Sequence, residues 1–181
     1  MLASLERRPW LWAVLIGVLV AVPFLVIHQR PESMRPLVSA RFPSVRWVDT
    51  TTLAEWMERP AGGHPIILDA RTSEEFAVSH LRGARRVDPE QPAIDSIGIP
   101  QEKVVVVYCS VGYRSGAIAE KLEAAGFETV YNLEGGIFAW ANESRPVFQG
   151  DRSVKAVHPY DRFWVIFLRP DLRGPLRSGE E

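Results

Sequence analysis

At 181 residues and 20.4 kDa the chain has room for one ordinary domain with appendages and a core that needs no staples. Its 21 basic and 22 acidic side chains leave a net charge of -1, and the arginines are scattered, which argues against a nucleic-acid partner that would need a basic stripe or patch. A single cysteine, Cys109, excludes an internal disulfide, and His28, His64, His80 and His158 lie too far apart, with no carboxylate at ligand spacing, for a metal site.

The run PWLWAVLIGVLVAVPFLVI, from Pro9 to Ile27, carries no charge and is long enough as a helix to cross a bilayer core of roughly 30 Å. Residues 1–30 therefore read as a single-pass transmembrane anchor, with Trp10 and Trp12 at one interface. A cleavable export signal has a shorter apolar core, and a buried helix of a soluble domain would not be apolar on every face. Arg7, Arg8 and the terminal amine ahead of the run resemble an export n-region and favour an exported domain; Arg30, Arg35, Arg41 and Arg46 behind it favour the cytoplasmic side. Residues 31–43, rich in proline and without a sustained period, read as a linker.

Regular patterning follows over residues 44–148. TTLAEWMER offers a capping box of Thr52 and Glu55, with Leu53 and Trp56 on one helical face. PIILDAR is a short buried strand ending in polar residues, and TSEEFAVSH repeats the box with Thr72 and Glu75. KVVVVYC is the strongest strand of the chain. SGAIAEKLEAAG places Ile118, Leu122 and Ala125 on one face of a helix that stops at Gly126, and FETVYNLEGG returns as a strand with a glycine turn. Strands alternating with helices predict an α/β fold with a mainly parallel central sheet and helices on both faces. The tail, 149–181, carries Tyr160, Phe163, Trp164 and Phe167 among arginines. Its consecutive apolar positions fit packing on the domain better than an amphipathic helix at a membrane.

Cys109 falls where the strongest strand ends, the place at which open parallel sheets bind ligands. Ser110, Val111, Gly112 and Tyr113 join it to the helix, with Arg114 closing the turn. Peptide N–H groups turned inward there would make an anion cradle at a helix N-terminus. That field and the Arg114 cation favour a thiolate, and Ser115 adds a hydroxyl donor. No histidine lies near in sequence to serve as a base, so acyl transfer of the Cys-His type is disfavoured. A free cysteine is otherwise most often a small buried hydrophobe. Cysteine, glycine, arginine and serine at one strand-to-helix turn favour a reactive site instead.

The stretch VVVYCSVGYRSGAIAEKLEAAGFETVYNLEGGIFAW resembles the active-site half of a single-domain rhodanese, whose loop reads C-x-x-G-x-R-S; Cys109, Gly112, Arg114 and Ser115 match it. Asp69, Arg71, Glu75, Phe76, His80, Gly83 and Ala84 fit the family's first signature, and Leu133, Gly135, Gly136 and Trp140 its closing motif. The resemblance implies a sulfurtransferase: Cys109 takes a sulfane sulfur from a small anion such as thiosulfate, holds it as a persulfide, and passes it to cyanide or a thiol. It implies Cys109 and Arg114 as the catalytic pair. Ser110, Val111, Gly112, Tyr113, Ser115 and Arg71 would lie at the substrate, with Asp69 as structural support; at the end of a neighbouring strand, Asp69 and Arg71 equally read as a structural ion pair that braces the fold. No cofactor is expected. Two rivals share the pattern. Rhodanese-type modules can serve as non-catalytic binding domains, and cysteine phosphatases of similar fold hold phosphate in a C-x5-R loop; here the spacing is C-x4-R and no aspartate general acid is identifiable.

Overall fold

The computed structural model describes residues 30–60 and 63–175. Five strands form one parallel sheet: β1 (Arg46–Val48), β2 (Ile66–Asp69), β3 (Arg85–Arg86), β4 (Val104–Tyr108) and β5 (Thr129–Leu133), in the order β1-β5-β4-β2-β3. β4 lies in the middle, pairing Val106 with Ile67 on one side and with Tyr131 on the other. Strand alternation sends Val105, Val107 and Cys109 into one apolar layer and Val106 and Tyr108 into the other. The first layer is closed by α1 (Arg35–Arg41) and α4 (Tyr113–Ala124), which contribute Val38, Ile118 and Leu122. The second takes Leu53 of α2 (Thr50–Met57), and Ile137 and Phe138 of α5 (Gly136–Asn142). A short helix, α3 (Ser73–Val78), follows β2, and a hairpin of β6 (Val147–Gln149) and β7 (Arg152–Val154) leads into the tail.

The expected linker, 31–43, is folded. A 3-10 turn over Pro31–Met34 runs into α1, and each carries a proline in its first turn (Pro31 and Pro36), where proline's fixed φ and missing N–H cost little. Val38 and Phe42, one turn apart, bury themselves against Gly116, where a Cβ would stand 2.9 Å from the Phe42 ring and 3.1 Å from Val38. Pro31 and Pro36 stand in helix first turns instead of spacing domains apart.

Helix caps differ in one place. α3 carries the expected capping box, Thr72 with Glu75. α2 is capped by Asp49, whose carboxylate accepts the Thr52 N–H at 2.8 Å, so the Thr52–Glu55 pair lies inside the helix. The tail packs in part as expected: Val157, Phe167, Leu168 and Leu172 join the second apolar layer with Trp164 against it, while Phe163 stays exposed. Its neck is closed by Val157 N–H donating to Leu172 O at 2.8 Å and Gly174 N–H donating to Val157 O at 2.8 Å. The anchor expected over 1–30 falls almost wholly outside the described residues, and among the described residues no helix is long and apolar enough to cross a membrane.

Candidate active site

β4 ends at Tyr108 and α4 begins at Tyr113, so Cys109 to Gly112 turn the chain at the carboxyl edge of the sheet. Gly112 makes the turn with φ at 108°, a conformation that side chains resist. Its carbonyl accepts the Asn132 amide N–H at 2.8 Å, while the Asn132 carbonyl accepts the Ser115 hydroxyl at 2.7 Å, tying the turn to β5. From the opposite side the first turn of α5 donates Ile137 N–H to Cys109 O at 2.9 Å and Phe138 N–H to Ser110 O at 3.2 Å. That approach needs Gly136: a Cβ there would overlap the Cys109 carbonyl oxygen and stand 2.6 Å from that of Ser110.

Cys109 is 2 % exposed, and the Gly112 N–H donates to its sulfur at 3.2 Å. Burial pushes the thiol up. The Arg114 cation and donors from Ser115 and Gly112 outweigh it and hold Cys109 below the ordinary thiol range. Ser115 has a single hydroxyl proton, which in this geometry goes to Asn132, so its backbone N–H is the donor it keeps for sulfur.

Arg114 is itself paired. Its two terminal nitrogens donate to the Glu75 carboxylate at 2.6 and 2.8 Å, one of them also to Ser110 Oγ at 3.0 Å, and its guanidinium lies 4.6 Å over the Tyr160 ring. Burial raises the Glu75 carboxyl, but the Arg114 partner and the Thr72 N–H bring it below the usual carboxylate range. The glutamate that caps α3 thus also holds the loop arginine from across the sheet.

Cys109, Ser110, Val111, Tyr113 and Arg114 meet at a cavity of about 250 Å³, which Leu37, Tyr160 and Trp164 close on its other side. Gly112 and Ser115 shape the turn beneath it. Arg71 does not reach the cavity, contrary to its expected place at the substrate; the structural ion pair with Asp69 is what forms. It is wholly buried, with Nε and Nη2 donating to Asp69 at 2.9 and 2.7 Å and Nη2 also to Ser79 O at 2.6 Å. Asp69, two residues earlier, also accepts the Arg71 backbone N–H at 3.0 Å and the Tyr108 hydroxyl at 2.5 Å, which curls the arginine back behind the sheet. His80 stacks on Phe76 at 4.2 Å with its Nδ1 at 3.0 Å from Leu81 O. Sequence reasoning assigned no site role to Glu75, Asn132, Leu37, Tyr160 or Trp164. Glu75 and Asn132 sit far from Arg114 and Gly112 in sequence, and no local spacing encodes their pairing.

Residues 51–143 match the family described as the rhodanese-like domain. A sulfurtransferase of Allochromatium vinosum is 34% identical over 82 residues, covering 45% of this chain and 77% of that one. A probable adenylyltransferase/sulfurtransferase, MoeZ, of Mycobacterium tuberculosis is 31% identical over 97 residues, covering 52% of this chain; this chain spans only 24% of its length. The crystal structure of a thiosulfate sulfurtransferase from Pseudomonas aeruginosa superposes with a TM-score of 0.52 at 27% identity, covering 61% of this chain and 20% of that one. Joined to the parallel sheet and the cysteine turn at its carboxyl edge, these matches establish that the chain belongs to the rhodanese-like family.

Proposed function

We propose that the protein is a sulfurtransferase that carries a sulfane sulfur on Cys109 between a donor such as thiosulfate and a thiophilic acceptor. The observation that carries this reading is a buried thiol held below its ordinary pKa in a turn whose N–H groups face the sulfur. The thiolate attacks the sulfane sulfur, sulfite departs with the electron pair of the broken S–S bond, and the anionic persulfide sulfur is stabilised by the N–H groups at the start of α4. Arg114 favours the thiolate, while Ser110, Val111 and Tyr113 form the cavity floor around it. Relatives named as sulfurtransferases support the same chemistry.

Phosphoryl transfer is less well supported. None of the residues lining the cavity bears a carboxylate that could act as general acid, and the C-x4-R turn is shorter than a phosphate loop. A purely binding role would leave the lowered thiol without a use. In this reading residues 44–148 are the catalytic unit, 149–181 a packed tail, and 1–30 a membrane anchor with the domain on the exported side. Mass spectrometry after incubation with thiosulfate tests the chemistry: one added sulfur on Cys109, absent in Cys109→Ser, is expected, and an unmodified thiol would refute it. Extraction of the full chain with carbonate tests the anchor, which fails if the protein leaves the membrane without detergent.

A further inference from the structure

The cavity over Cys109 is walled by apolar and aromatic side chains, and its one charged group is already engaged. Among the described residues Arg114 is the only cationic side chain lining it, and both of its terminal nitrogens donate to Glu75, one of them also to Ser110. Tyr160 covers one face of the guanidinium. The arginine and Glu75 together carry no net charge, so an anionic group carried beyond the reach of the N–H donors of the turn loses hydration without meeting an unpaired cation. Leu37, Tyr113 and Trp164 instead offer surface to carbon.

Part of this wall is built by segments outside the family match at 51–143. Leu37 comes from α1, and Tyr160 and Trp164 from the tail. Tyr160 takes φ at 71°, an uncommon backbone for a residue with a side chain, and its N–H donates to His158 Nδ1 at 3.0 Å. Strain of that kind persists only where the surroundings enforce it, and here it accompanies a ring laid over Arg114.

We propose that the sulfur acceptor is an organic thiol whose carbon part is apolar and uncharged, and that Leu37, Tyr160 and Trp164 set this preference. The proposal rests on the sulfur-transfer reading above. The acceptor thiolate attacks the outer sulfur of the Cys109 persulfide and forms a new S–S bond to it. The bond between the two sulfurs on Cys109 breaks, its electron pair stays on the Cys109 sulfur as thiolate, and the product leaves as R–S–SH, the outer sulfur having taken the proton that the acceptor thiol gave up. Charge and sulfur oxidation level balance without a further reagent.

The test loads the full-length protein in detergent with sodium tetrasulfide, removes the excess, and follows loss of the added sulfur to phenylmethanethiol or to 2-mercaptoethanesulfonate, compared at equal thiolate concentration. The uncharged thiol should unload Cys109 about tenfold faster or more. Trp164→Ala and the exposed-site variant Leu37→Ser should each cut that ratio by about fivefold; Leu37 is 59% exposed, so its replacement does not threaten the fold. Equal rates for the two thiols, unloading by neither, or a ratio unchanged in both variants overturns the preference while leaving sulfur loading intact. If tetrasulfide and thiosulfate both fail to load Cys109, the sulfur-transfer reading itself falls and the preference falls with it.

Discussion

Taking away the Arg114 guanidinium removes the largest influence that lowers the Cys109 thiol, ahead of the N–H donors. Arg114→Ala is therefore expected to shift the pH midpoint of iodoacetamide labelling upward, toward that of an ordinary thiol. A midpoint that stays in place would assign the lowering to the peptide groups alone. Glu75, with its side chain 2% exposed, is the other half of this pair. Glu75→Gln leaves a largely buried cation short of its partner and should cost about 2 kcal/mol in urea unfolding at neutral pH. Because the folded-state carboxyl of Glu75 is depressed, its contribution is complete above the ordinary carboxylate range and is lost as pH falls through the folded value. The gap between wild type and Glu75→Gln should accordingly shrink in acid, and a constant gap would mean that the carboxylate charge is not what stabilises.

Two glycines with similar backbone angles separate strain from crowding at the level of elements. Gly136 (φ 55°) packs against the cysteine turn, whereas Gly150 (φ 58°), in the turn of the β6–β7 hairpin, has nothing within 4 Å of where a Cβ would sit. Gly150→Ala should cost about 1 kcal/mol, the left-handed penalty alone. Gly136→Ala should cost about 3 kcal/mol or more and displace the turn, seen as a changed rate of Cys109 labelling. The strands were legible in the sequence because β-branched runs such as Val104–Val107 are apolar on both faces, the mark of a strand in the middle of a parallel sheet. The cysteine turn was legible because its residues are contiguous. α1 was not, since its prolines read as breakers when they stand at first turns and the partner of Val38 and Phe42 is a glycine some 70 to 80 positions later in the chain. A strand-end position does not decide whether Arg71 faces the substrate or pairs with Asp69, because which way such a side chain turns is set by neighbours such as Asp69 and Ser79 O.

For the whole molecule, segments on either side of the family match share in building one cavity, so domain boundaries drawn on homology alone cut into it. A chain beginning at Ser44 loses Phe42, 3% exposed, and should unfold about 3 kcal/mol more easily than one beginning at Arg30, measured by urea or heat. Equal stability would show that α1 only rests on the surface. The single, almost fully covered thiol also makes the protein a reporter of its own breathing. A small alkylating agent can reach Cys109 through the cavity of about 250 Å³, whereas a bulky aromatic disulfide must wait for the tail or α1 to lift. The ratio of the two labelling rates then measures the population of the opened form, and its dependence on urea distinguishes local release of the tail from global unfolding. No second cysteine has to be removed to read it.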